Sequence, residues 1–131
     1  MHETVVAWHI LDKVRERVSL LENAGSVLKV SIRVGEFTNV DPESLAFAFD
    51  SLKMAYADCK DSALNIQVIQ TVAICREEEH FFHAQAANSF RCPECGAGIK
   101  SIVSGEELEI FDVELTVNEE GGEPQHAWTN H

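Results

Sequence analysis

Leu28-Lys29-Val30-Ser31-Ile32-Arg33-Val34-Gly35 alternates apolar and polar side chains and stops at a glycine. Alternation with period two marks a strand with one face on a core and the other toward water. The flanks have a different period. On the N-terminal side Ile10, Val14, Val18 and Leu21 recur every three or four residues, with Asp12, Lys13, Arg15, Glu16 and Arg17 between them. That spacing predicts an amphipathic helix, with Gly25 as its stop. On the C-terminal side Asp41 precedes Pro42. Asp41 is a good N-cap, and proline at the first helical position loses no hydrogen bond. Leu45, Ala48, Phe49, Leu52 and Tyr56 then fall on one helical stripe. Two more alternating runs predict strands, one at 64–68 and one at 108–117. The second changes phase between Ile110 and Phe111, which marks a bulge or a change of partner.

Between these last strands lies a segment of another kind, from Ala73 to Gly105. It holds three of the four cysteines and two histidines, and it is poor in aliphatic residues. A stretch of this size builds little core alone, and such modules usually fold around a metal. Beyond Val117 the chain contains Gly121, Gly122 and Pro124 without periodicity, and residues 118–131 read as a disordered tail.

Bulk properties narrow the function. The chain has 131 residues, one domain's worth, and 45% hydrophobic residues can fill a core. No apolar run is long enough to span a bilayer, and the start lacks the basic and apolar regions of a signal peptide. Four cysteines without a secretory signal fit a reducing cytoplasm, where thiols more often bind metal than pair. A net charge of −12 argues against nucleic acid, whose phosphates demand Lys and Arg.

The sharpest motif is Cys92-Pro93-Glu94-Cys95-Gly96. Two thiolates at this spacing chelate one tetrahedral zinc ion, and the glycine tolerates the positive φ of the turn. A full zinc ribbon needs a second pair, which this chain lacks. Upstream stand Cys75, then Glu78 where the second thiol would fall, then His80 and His83. Cys75, Cys92, Cys95 and either His80 or His83 make four ligands. Glu78 is a harder donor and less suited to a structural site. Cys-x-x-Cys also serves thiol oxidoreductases, but there it opens a helix, and Gly96 and Gly98 disfavour one here. Cys59 stands apart and reads as a buried small residue.

The N-terminus offers a second set of donors. Met1-His2-Glu3 places an α-amino group, backbone amides and an imidazole within one short stretch. Ni²⁺ favours such square-planar nitrogen donors. His9, seven residues after His2, and the aromatic Trp8, Phe47 and Phe49 read as packing residues. His126 and His131 offer adventitious metal binding only.

Several fragments together resemble the hydrogenase maturation nickel metallochaperone family, HypA or HybF. They are Met1-His2-Glu3, Val34-Gly35-Glu36, Val40-Asp41-Pro42-Glu43-Ser44-Leu45, Phe47-Ala48-Phe49, the Cys92–Gly96 knuckle, and Ser104-Gly105-Glu106-Glu107-Leu108. They occur in the family's order over nearly the whole chain up to Val117. The resemblance implies an α+β fold: two helices on a small three-stranded mixed sheet, with an inserted zinc-ribbon-like subdomain. The nickel-binding part is then 1–72 and 106–117, and the zinc-binding insert 73–105. It further implies no catalysis, with nickel carried at Met1, His2 and Glu3. The cargo passes, with the GTPase HypB, to the large subunit of a [NiFe] hydrogenase and in some organisms to urease. A monomer or a homodimer fits equally. The family normally has a cysteine where this chain has Glu78. The alternative reading is a zinc-ribbon interaction module without nickel.

Terminal ligation carries a pH dependence. An α-amine titrates near about 7.7–8.0 and an imidazole near about 6.5, and both bind metal only when deprotonated. Nickel affinity is therefore expected to fall steeply between about pH 7.5 and about pH 6, measured by calorimetry. Equal affinity at the two ends would rule out this donor set.

Overall fold

The computed structural model describes residues 2–117 and 122–128. Its larger unit carries helix α1 (Glu3–Ser19), strand β1 (Ala24–Gly35), helix α2 (Pro42–Leu52), strand β2 (Ala63–Ile69) and strand β6 (Leu108–Val117). A smaller sheet lies between β2 and β6 in sequence. It holds β3 (Val72–Cys75), β4 (Phe81–His83) and β5 (Ile99–Ser104). The fold is α+β, as expected.

β1 is the centre of the main sheet, parallel to β2 on one side and antiparallel to β6 on the other. One face of the sheet is covered by the helices. α1 sends Val6, Ala7, Ile10, Leu11, Val14 and Val18 into the core, where they meet Val27, Val30, Ile32 and Val34 of β1. α2 adds Leu45, Ala48 and Phe49. The opposite face is polar. There Arg33 lies over the Phe111 ring, 4.1 Å from its centroid, and reaches Glu109 at 3.3 Å. The phase change in β6 is a bulge: Ser31 pairs with Asp112 and Ile32 with Ile110, leaving Phe111 as the extra residue.

Some local expectations are corrected. α1 ends at Ser19, well before Gly25, and the turn uses Asn23 at φ 60°. Asparagine tolerates this left-handed conformation, and Gly25 becomes part of β1. A second register shift follows Val27, so Val27 is fully buried and Leu28 only half so. α2 stops at Leu52, and a 3₁₀ turn (Lys53–Ala55) carries the chain to Tyr56. Tyr56 leaves the helical stripe but still packs against the core, and Arg15 stacks over its ring. Phe47 is no packing residue, being 75% exposed, and Trp8 is 47% exposed.

The disordered reading of the tail fails over 125–128. Strand β7 (Gln125–His126) pairs with β6 as a fourth strand of the main sheet. His126 Nδ1 sits 2.8 Å from both carboxylate oxygens of Asp112. Trp128 packs on the core and receives Arg17 over its ring. The open edge of β6 supplies backbone partners that no local periodicity records. Residues 118–121 and 129–131, with His131, lie outside the described residues.

The core makes a contrast that can be measured. Phe49 is 0% exposed. Phe49→Ala should lower unfolding stability by about 3–5 kcal/mol in a urea titration. Phe47→Ala, two residues away, should change it by less than about 0.5 kcal/mol. Similar losses for both would contradict the assigned face of α2.

Candidate metal centre

The smaller sheet has the order β4-β3-β5 and a core of its own: Ala73, Cys75, Phe82, Ala84 and Cys92. Two of these five are cysteines, so apolar burial holds little of the module. β3 ends at Cys75. A turn then passes through Glu79 at φ 54° and returns at His80, whose carbonyl accepts the Cys75 N–H. Cys92 and Cys95 lie on the knuckle between β4 and β5. There Gly96 takes φ 75° and its N–H closes the turn on the Cys92 carbonyl at 2.8 Å. Among the described residues no helix begins at the pair, so no helix N-terminus stabilises these thiolates.

Cys75, His80, Cys92 and Cys95 bring their donor atoms within 4.8 Å of one another. Cys95 Sγ is 3.7 Å from Cys75 Sγ. His80 Nδ1 is 3.5 Å from Cys92 Sγ and 3.8 Å from Cys75 Sγ. These spacings suit zinc. Bonds of about 2.3 Å to sulfur and about 2.05 Å to nitrogen, at tetrahedral angles, set S···S near about 3.8 Å and S···N near about 3.6 Å. The chemistry of the donor set agrees, since thiolate and imidazole are the usual ligands of a structural zinc site.

The electrostatics point the same way. Burial raises the Cys75 thiol, but the N–H groups of Glu78 and His80 outweigh it and bring it down to about 7. Cys92 is lowered too: the N–H groups of Cys95 and Glu94 overcome burial. The Ala97 N–H favours the Cys95 thiolate, yet burial and the sulfurs of Cys92 and Cys75 push that thiol up to about 11. His80 is raised, most of all by its contact with Cys92. Negative sulfurs this close resist ionising together, and a divalent cation removes the conflict.

The other predicted candidates go elsewhere. His83 Nε2 lies 2.8 Å from Glu36 Oε1 on the main unit, away from the cluster. Glu78 is not among the four converging donors. Its carboxylate meets the far nitrogen of His80, with Oε2 3.2 Å from Nε2, and Glu94 Oε2 does the same at 3.2 Å. A carboxylate at the far nitrogen fixes the tautomer and leaves Nδ1 as the ligating atom. Glu94 in this role was not anticipated, and its place inside the Cys92-x-x-Cys95 spacer was the available signal. Cys59 is fully buried in the main core, and burial pushes its thiol up to about 11.

His2 is extended (φ −84°, ψ 113°) and exposed at the start of α1. Its side chain makes no capping hydrogen bond. His2 and Glu3 line an open depression of about 600 Å³ with Thr4, Asp41, Glu43 and Phe47. Asp41 and Glu43 were not anticipated there, because the Asp41-Pro42 pair reads only as a helix start. The Ser44 hydroxyl donates to Asp41 at 2.6 Å and holds its carboxyl below the usual range. Met1 lies outside the described residues, and His9 lines a neighbouring apolar groove with Trp128.

If the two carboxylates orient His80, the Glu78→Gln, Glu94→Gln double variant should bind zinc about 10–100-fold more weakly. Competition with a chromophoric chelator measures this. Unchanged affinity would show that His80 needs neither partner.

The chain has counterparts among known proteins. Residues 1–115 match the family model described as hydrogenase/urease nickel incorporation, metallochaperone, hypA. The hydrogenase maturation factor HypA of Desulfosudis oleivorans is 36% identical over 116 residues, covering 88% of this chain and 98% of that protein. The HypA of Helicobacter hepaticus is 34% identical over 95 residues, covering 72% and 80%. In fold, the solution structure of the Ni metallochaperone HypA from Helicobacter pylori is similar, with a TM-score of 0.62 at 23% identity over 89% of this chain and 99% of that one. With this sequence match over nearly its whole length, the chain belongs to the HypA family of nickel-incorporating metallochaperones of hydrogenase maturation.

Proposed function

We propose that the chain takes up Ni²⁺ at Met1, His2 and Glu3 and hands it on for insertion into a [NiFe] hydrogenase. One observation carries the proposal: His2 stands extended and exposed, its imidazole unused as a cap, beside a carboxylate-lined depression. The first backbone N–H groups of a helix have no acceptor within it. Ni²⁺ can therefore displace the amide protons of His2 and Glu3 without breaking a bond of α1, whose first backbone bond runs from Val6 N–H to the His2 carbonyl. Glu3, Asp41 and Glu43 supply negative potential that attracts the cation. An exposed terminal site can be attacked by a competing ligand, which suits transfer over storage.

In the same reading, Cys75, His80, Cys92 and Cys95 hold a resident zinc ion. Bound there, zinc ties the β3–β4 turn to the knuckle and supplies stability that a core of five side chains, four of them small, does not. Residues 73–105 form the zinc-binding unit, and 1–72 with 106–117 the nickel-binding one. No catalysis is involved. The partners are the GTPase HypB and the hydrogenase large subunit, with urease as a further client, all in the cytoplasm. Among the described residues no helix is long and apolar enough to cross a membrane.

Calorimetry with Ni²⁺ tests the proposal on the untagged full chain with His126→Ala and His131→Ala in the background, which removes the two C-terminal histidines and keeps Trp128 on the core. The parent should bind one equivalent, and His2→Ala should lose that binding, with zinc content near one in both. Equal nickel binding by the two proteins would favour a zinc-ribbon interaction module instead.

A further inference from the structure

Where β1 ends, the main unit meets the smaller sheet. Gly35 packs so tightly that an added Cβ would lie 2.0 Å from the Gly105 carbonyl oxygen. The Phe37 N–H donates to that same carbonyl at 2.8 Å. The rings of Phe37 and Phe90 meet edge to face, with centroids 6.2 Å apart. These contacts leave much of the junction open, since both rings are nearly half exposed.

Glu36 between them does something different. One carboxylate oxygen, Oε1, takes two bonds from the far side. It accepts the backbone N–H of Thr71 at 2.9 Å and lies 2.8 Å from Nε2 of His83. Thr71 begins the chain's entry into β3, and His83 ends β4. A single side chain of the main unit thus grips the chain just before β3 and at the last residue of β4. Thr71 is 1% exposed, and its hydroxyl has no hydrogen-bond partner among the described residues. The Thr71 side of the contact is therefore buried, while the Glu36–His83 pair keeps side-chain exposures of 37% and 31%; the ionised acceptor still makes the stronger class of hydrogen bond. The carboxyl is held below its ordinary range, first by the Thr71 N–H and then by His83, so it is ionised at neutral pH.

We propose that Glu36 is the positioning residue that seats the smaller sheet on the main unit, acting through Thr71 and His83. His83 lies in the same β3–β4 hairpin that brings Cys75 and His80 to the metal centre, so the tether also holds one half of that centre. The consequence for metal rests on the zinc reading above. The seating itself does not.

Nitrogen-15 relaxation and amide exchange on the zinc-loaded full chain test the idea. In the parent, amides of 72–104 and those of α1 and β1 should share one rotational correlation time. In Glu36→Ala the smaller sheet should move with a shorter one, and the Thr71 amide should exchange at least about tenfold faster. Glu36→Gln keeps a carbonyl acceptor for Thr71 and should recover part of that protection, which loss of packing alone would not predict. One common correlation time with unchanged Thr71 exchange in Glu36→Ala overturns the proposal, whatever the zinc content. If Glu36→Ala does not fold, His83→Asn is read on relative motion alone, with the same two outcomes. Zinc absent from the parent would count against the metal centre and leave the seating measurement intact.

Discussion

Three sulfurs and one imidazole nitrogen within 4.8 Å of one another repel once the thiols ionise, unless something positive sits among them. The smaller sheet is organised around that constraint. Its strands are three to six residues long, and its core is two alanines, one phenylalanine and two cysteines. Such a core buries too little apolar surface to offset the entropy of ordering the segment. Backbone N–H groups aimed at sulfur, the positive φ at Gly96 and the turn at Glu79 all serve to bring the four donors together. The small sheet reads as a scaffold for its ligands.

The main unit rests on the opposite principle. β1 is buried between β2 and β6, and its apolar face packs under α1 and α2. Val14, Val27, Val30, Leu45, Phe49, Val113 and Leu115 are all fully buried. Hydrophobic burial suffices here, and no charged side chain is needed inside. That leaves polar chemistry at the edge, where His2, Glu3, Asp41 and Glu43 face water at the start of the two helices. A rigid support with donors at its rim suits a cargo site that must both bind and release.

Glu78 stands beside the cluster of converging donors without joining it. His80, two residues later, is the fourth converging donor, and the Glu78 carboxylate lies at the far nitrogen of its ring. His83 is denied the same role by a residue 47 positions away, because Glu36 holds its Nε2. The choice between two histidines of one hairpin is thus made by the surface on which the hairpin rests.

Much of this was legible along the chain because it depends on local period and local spacing. Alternation through Ile32 and Val34, the three-to-four spacing of Ile10, Val14 and Val18, and the Asp41-Pro42 start each express a side-chain geometry confined to one element. The bulge at Phe111 and the knuckle at Cys92–Gly96 were readable for the same reason. Helix ends were not, because Asn23 can take the left-handed turn that Gly25 advertises. The return of Gln125–Trp128 to β6 depends on an open sheet edge and a waiting Arg17, both far away in sequence. Likewise Glu94 behind His80, Asp41 beside His2 and Glu36 against His83 are juxtapositions between separate segments. The sequence by itself determined the elements, the knuckle and the donor types. The tertiary structure alone decided which donors meet, because convergence of side chains depends on packing between elements that no local period encodes.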